Sequence, residues 1–139
     1  MPQLPRGNHV VVDREVLEDL ASEVVDGAFK VHRELGPGLL ESSYQACLAH
    51  ILSKRSVPVE CEVGLPLFFD GTRVDVGYRV DMIVGGVIIV ENKAVQALAP
   101  IHQAQLMTYL KLSGLHLGFL INWNVCRLKD GLRRMVYRL

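Results

Sequence analysis

The chain has 139 residues, half of them hydrophobic and 22% charged, which suits one globular domain and excludes wholesale disorder. Its 15 basic and 15 acidic side chains cancel, so no large basic excess points to nucleic acid or a membrane surface. The longest near-continuous apolar stretch, Met82 to Val90, has nine residues, far short of the roughly 20 a membrane-spanning helix needs. The N-terminus, MPQLPRGNHV, lacks an apolar signal core, and the expectation is a cytoplasmic protein with no membrane partner. Cys47, Cys61 and Cys126 are odd in number and have no CxxC or Cys/His spacing, which argues against a disulfide framework or a zinc site.

Residues 1–12, with Pro2 and Pro5, are expected to be a flexible arm, and 13–139 a single domain. Asp13 is placed to cap a helix running to about Leu35, because Leu17, Leu20, Ala21, Val24, Ala28 and Val31 recur at helical spacing. Gly36-Pro37-Gly38 stops it. A second helix is expected over about Leu40–Arg55, with Tyr44, Leu48 and Leu52 on its apolar stripe. Strand patterns follow at Val57–Phe69 and Thr72–Val84, joined by the hairpin signal Asp70-Gly71 and bent near Gly77. After Gly85-Gly86 comes Val87 to about Ala94, apolar on both faces like a covered central strand. Pro100 opens a third helix over about Ile101–Leu112, Leu115–Asn122 is a buried strand, and Met135–Leu139 a short last one. The order α-α-β-β-β-α-β-β packs economically as an α/β fold, one mixed central sheet flanked by helices.

Four places break the apolar pattern. Asp81 stands among strand-forming apolar residues and needs a partner if buried. Glu91-Asn92-Lys93 follows the most apolar strand, with Glu91 and Lys93 on one face and Asn92 on the other. Counting outward from a tight Gly85-Gly86 turn, Val84 faces Val87 and Asp81 faces Val90; a one-residue bulge sets Asp81 beside Glu91. Two carboxylates and a lysine at a strand end suit a hard divalent cation, Mg²⁺ or Mn²⁺, which takes oxygen ligands. The same pattern also suits a structural ion pair, and D…ExK alone does not decide. Glu41 falls on the inward face of the second helix, as a site acid or as a first-turn glutamate favoured by the helix dipole. Gln105 and Tyr109 share a face of the third helix, with His102 on the same side of the wheel. Charge is also uneven along the chain: residues 100–139 carry 6 basic and 1 acidic side chains. Lys111, Arg133 and Arg134 in that stretch are candidates for phosphate contact, or ordinary solvated charge.

Taken together these residues resemble the GxxExxY protein family, a branch of the PD-(D/E)XK nuclease superfamily. Gly38-Leu39-Leu40-Glu41-Ser42-Ser43-Tyr44 resembles the name-giving motif, Asp81 with Glu91-Asn92-Lys93 the metal-site signature, and Gln105 to Tyr109 the Gln-x-x-x-Tyr motif of exonuclease-like branches. Val80 stands where the superfamily usually has proline. The resemblance implies a restriction-endonuclease-like fold and a metal-dependent nuclease acting on phosphodiester bonds, with DNA the expected substrate. It implies Asp81 and Glu91 as Mg²⁺ (or Mn²⁺) ligands, the Asn92 backbone carbonyl as a third, and Glu41 binding the metal through water or supporting a second ion. Lys93 would activate the attacking water, and Gln105, Tyr109 and Tyr44 would be supporting residues. The competing reading is a non-catalytic nucleic-acid-binding or protein-interaction module on the same fold; neutral charge and small size favour action with a protein partner or as a homodimer.

Overall fold

The computed structural model describes residues 12–139, the side chain of Val76 excepted; most of the expected arm therefore lies outside the described residues. Helix α1 (Arg14–Leu35) starts where Asp13 accepts the backbone N–H groups of Glu15 (2.8 Å) and Val16 (3.2 Å), satisfying two of the free donors of the first turn. It ends at Gly36, whose φ of 66° lies in the left-handed region that favours glycine. Helix α2 (Glu41–Lys54) follows, then strands β1 (Val59–Phe69), β2 (Thr72–Val84) and β3 (Ile88–Lys93), helix α3 (Pro100–Ser113), strand β4 (Leu117–Asn122), a 3₁₀ turn (Leu128–Asp130) and strand β5 (Leu132–Val136). The last strand thus begins three residues before the expected Met135 and ends before Tyr137. Its alternation is too short and too charged, with Arg133 and Arg134 inside it, to stand out from the sequence.

The five strands lie in sequence order, β1-β2-β3-β4-β5. All neighbours are antiparallel except β3 and β4, and the parallel pair requires the crossover that α3 supplies. This is the mixed sheet flanked by helices of a restriction-endonuclease-like fold. Helices α1 and α2 cover one face through Leu17, Val24, Tyr44, Leu48, Met82, Val90, Phe119 and Trp123. Helix α3 covers the other through Leu106 and Leu110 against Val63, Val80, Ile89 and Leu120. Gly118 lets α3 approach: a Cβ there would stand 2.9 Å from Leu106 Cδ1 and 3.2 Å from the Ile89 carbonyl.

Two irregularities shape the site. Gly85 and Gly86, both at positive φ, close a turn in which Val87 N–H donates to the Val84 carbonyl (3.1 Å). The ladder resumes at Val84↔Ile88, so Val87 is the extra residue and the pairing shifts by one from the tight-turn count. The second lies between β1 and β2. Cys61 pairs with Met82 and Val63 with Val80, but Glu62 and Asp81 between them do not pair, and Glu62 has φ 57°. Met82 packs toward α1 and α2 and Val80, two residues earlier, toward α3. The strand pair changes face across Asp81. The bend expected near Gly77 is present as a register shift between Leu65↔Tyr78 and Leu67↔Val74, and Pro66, which has no N–H to give the ladder, sits in it.

The turn after α1 is tied down by Tyr44, which is fully buried. Its hydroxyl donates to the Gly36 carbonyl (2.5 Å) and accepts the Leu39 N–H (3.1 Å). Its ring stacks on Trp123, with centroids 4.9 Å apart and planes 3° from parallel. Trp123 is the sole tryptophan and reports on this stack. Tyr44→Phe keeps the stack and removes both hydrogen bonds, so it is expected to cost about 1 kcal/mol. Urea unfolding followed by tryptophan fluorescence checks this: the midpoint should fall with the slope unchanged, and an unchanged midpoint would mean the hydroxyl does not hold the turn.

Candidate active site

The shifted register brings Asp81 opposite Glu91. The last regular pair is Met82↔Val90, and beyond it side chains continue the ladder. Asp81 N–H donates to Glu91 Oε1 (3.0 Å), and Asn92 N–H donates to Asp81 Oδ2 (2.8 Å). Each carboxylate is thus held by backbone of the opposite strand, which forces the two together. Burial, reinforced by the Asp81 charge, pushes the Glu91 carboxyl up to about 9. Burial also raises Asp81, with the Glu62 charge adding to it and the Asn92 N–H and Lys93 opposing. Near neutrality the pair holds a proton between its two acids.

Glu41, at the first position of α2, is raised first by burial and then by the charges of Asp81 and Glu62, with Lys93 opposing. It therefore shares the electrostatic field of the pair without joining it. Glu41, Gln45, Cys61, Glu62, Arg79 and Asp81 line a cavity of about 610 Å³. Lys93 is half-buried and its charge is felt by Glu41, Asp81 and Glu91. Of the four, Asp81 and Glu41 line this cleft, Glu91 is tied to it through its bond with Asp81, and Lys93 is tied to it by its charge. Tyr109 does not line this cavity but stands near it on α3: burial and then the charges of Glu91 and Asp81 raise its phenol.

Other sequence-chosen residues stand elsewhere. The Asn92 side chain is fully buried on the opposite face, where its amide meets Gln45 Oε1 (3.3 Å) and Met82 Sδ (3.3 Å) and its Oδ1 accepts Trp123 Nε1–H (2.9 Å). Only its backbone remains to face the carboxylates. Tyr44 is locked in the α2 stack and does not line the cleft. Gln105 is exposed one turn before Tyr109, and its side chain makes no hydrogen bond among the described residues. His102 accepts the Ala99 N–H (3.0 Å) at Nδ1, closing the first turn of α3 rather than lining the cleft. Arg134 is paired with Glu18 through two hydrogen bonds (3.1 and 2.5 Å), and Arg133 donates to the Asp130 and Leu132 carbonyls (each 3.1 Å). Both lie on β5, two strands from β3. Lys111 is exposed in the last turn of α3.

Four residues at or beside the cleft are absent from the sequence reading: Glu62, Arg79 and Gln45, which line it, and Tyr78, which lines the neighbouring cavity. Glu62 accepts from Gln45 Nε2 (2.9 Å) and pairs with Arg79 Nε (2.8 Å). Its signal is a positive φ on a non-glycine residue, a conformation no pattern of residue types announces.

A fold of this order, with a carboxylate on β2 beside an ExK set at the end of β3, is matched by one family model. The chain belongs to the PD-(D/E)XK nuclease superfamily. The match runs over residues 18–135, nearly the whole chain. No curated protein and no solved structure matches the chain significantly. Nucleases of this superfamily generally use divalent metals such as Mg²⁺, and the donor set fits one: two carboxylates crowded against their own repulsion, with oxygen donors only. Among the described residues no three Asp, Glu, His or Cys side chains converge into a full cage. Mg²⁺ commonly takes one or two protein carboxylates, with waters and phosphate oxygens supplying the rest.

A group raised in the folded state favours folding below its ordinary value and loses that contribution as pH rises through the raised one. Glu91 rises from 4.5 to about 9, and Asp81 and Glu41 shift the same way. Metal-free protein is therefore expected to lose thermal stability between about pH 5 and pH 9. Glu91→Gln should flatten that slope, and Mg²⁺ should raise the melting temperature more at the alkaline end, where it displaces no proton. Melting curves across pH, with and without Mg²⁺, check this; a wild-type slope no steeper than that of Glu91→Gln would refute the shared-proton pair.

Proposed function

We propose that this chain is a metal-dependent nuclease of the GxxExxY branch that hydrolyses phosphodiester bonds in DNA. The observation that carries the reading is the reciprocal Asp81–Glu91 arrangement, 3.0 and 2.8 Å across the β2–β3 ladder, with Lys93 one alternation further along β3. The branch assignment is supported by Gly38, whose φ of 104° keeps a side chain out, by Glu41 in the cleft and by Tyr44 anchoring the helix start.

In this reading Asp81 and Glu91 hold Mg²⁺ or Mn²⁺, with the Asn92 backbone carbonyl completing the protein's share. The bound cation would neutralise phosphate charge and lower the pKa of a water. Lys93 donates a hydrogen bond that orients the attacking water and offsets charge building on the phosphoryl oxygens. Glu41 accepts from water on the opposite side of the cleft, and because its carboxyl is raised it takes up a proton more readily than a surface glutamate. The Tyr109 phenol, raised by its acidic surroundings, stays protonated and serves as a donor. Gln105 extends the same helix face toward the substrate backbone.

The test is incubation of purified protein with end-labelled single- and double-stranded DNA and RNA in Mg²⁺, Mn²⁺ or EDTA. Cleavage is expected with Mg²⁺ or Mn²⁺ and not with EDTA. Lys93→Ala should lower the rate at least a hundredfold while leaving the melting temperature within a few degrees, since one such electrostatic donor contributes about 10²–10³ in rate. Wild-type protein that cuts nothing with any divalent metal, yet binds nucleic acid as its Lys93→Ala and Asp81→Ala variants do, would establish the non-catalytic module instead.

A further inference from the structure

A second cavity meets the acidic cleft at Asp81 and Arg79, which line both. Its volume is about 640 Å³, and Arg73, Tyr78 and Tyr109 also line it. It lies beside an arm of the fold. The β1–β2 ladder runs out to Phe69↔Thr72, but β3 pairs with β2 only over Met82–Val84, so the rest of the hairpin projects beyond the main sheet. The two cavities differ in chemistry. The first carries three acids, Glu41, Glu62 and Asp81, against Arg79 alone; the second sets Arg73 and Arg79 against Asp75 and Asp81 and adds two tyrosines. A polyanion entering the site therefore meets less uncompensated negative charge in the second, with two aromatic rings beside it.

We propose that this second cavity is a subsite for an unpaired nucleotide of a single-stranded nucleic acid, with Tyr78 as the stacking platform and Arg79 as the phosphate contact. The assignment rests on the nuclease reading and names the substrate form that site takes. Tyr78 is 41% exposed, and Tyr109 meets it edge to face, with centroids 6.5 Å apart and planes at 62°. That arrangement fixes the Tyr78 ring from one side and leaves ring surface open to the cavity. Arg79 is anchored through Nε by Glu62 at 2.8 Å, and among the described residues the rest of its guanidinium fork makes no other bond. An anchored fork is suited to phosphate oxygens. Size decides against a duplex: roughly 300–1,000 Å³ is the range of pockets that enclose one small ligand. Base faces within a duplex are also covered by their neighbours, whereas an unstacked base has a π-face to offer.

The test is fluorescence anisotropy in EDTA, which stops metal-dependent cleavage, with labelled single-stranded DNA, single-stranded RNA and a blunt DNA duplex. Tyr78→Ala is expected to weaken binding of one or both single strands roughly 5- to 150-fold, the range for loss of one base–aromatic stack. Tyr78→Trp should keep that binding and Tyr78→Leu should not, which separates stacking from packing even if the alanine variant folds poorly. Duplex binding should change less than twofold. Equal losses on duplex and single strand, full binding by Tyr78→Leu, or no single-strand binding by wild-type protein would overturn the subsite. Cleavage assays on the same proteins separate the two readings. Wild-type protein that cuts nucleic acid while Tyr78→Leu binds single strands fully would sink the subsite alone. Protein that cuts nothing but loses single-strand binding in Tyr78→Leu would sink the nuclease reading and uphold the subsite.

Discussion

Two carboxylates that repel each other are held together by backbone, and the remainder of the structure makes this possible. Left to themselves Asp81 and Glu91 would separate or turn to solvent. They do not, because each accepts an N–H from the strand that carries the other, at 3.0 and 2.8 Å. Those amide groups would otherwise be unpaired, since the regular ladder has ended at Met82↔Val90. Satisfying them and crowding the charges are therefore the same act. The frustration appears as a carboxyl pushed up to about 9 at Glu91, and a divalent cation bound between the acids would relieve it.

Rigidity behind the pair comes from the far face of β3. Asn92 is fully buried and hydrogen-bonded to Trp123, Gln45 and Met82, so the strand end cannot rotate to relieve the acids in front of it. Trp123 in turn stacks on Tyr44, whose hydroxyl holds the turn that starts α2, and Glu41 is the first residue of that helix. A continuous set of contacts thus links the Gly38–Tyr44 motif to the Glu91–Lys93 motif through the core. Tyr44 contributes by fixing where Glu41 stands, and Asn92 by fixing where Glu91 and Lys93 stand. Gln45 bridges the two sides, bonding Asn92 on one and Glu62 on the other.

The element order, the capping aspartate, the Gly36–Gly38 stop and the Asp81/Glu91/Lys93 grouping were legible because each rests on local chemistry: helical period, turn residues, a charge inside an apolar run. What escaped depended on distant partners. The one-residue shift at Gly85-Gly86 was open between two counts, since nothing local decides whether Val87 joins the ladder. The role of Arg134 was hidden because its partner, Glu18, comes from the distant first helix. His102 shares a wheel face with Gln105 and Tyr109, but a wheel does not show that the first turn of a helix leaves donors for a ring nitrogen to satisfy. Glu62 and Tyr78 were invisible for a further reason: the strand pair changes face across Asp81, so strict alternation assigns their side chains wrongly beyond that point.

On the proposed nuclease reading, that change of face also lets a neutral chain address a polyanion. With 15 charges of each sign, long-range attraction contributes little, and binding has to come from local arrangement. Crossing from one face to the other at Asp81 puts Met82 in the core under α1 and α2 and Val80 in the core under α3, so Asp81 sits at the seam between the two cavities. Glu62, opposite it, takes a left-handed backbone and uses its carboxylate to anchor Arg79 at the same seam. One side of the seam gathers acids and would repel phosphate unless a cation were bound; the other balances its acids with Arg73 and Arg79 and adds aromatic surface. A strand lying across the seam would be held by the second and exposed to the first at a single phosphate. The backbone irregularity at Glu62 and Asp81 is thus what joins the holding surface to the acidic one, and a regular β-ladder there would bury one of them.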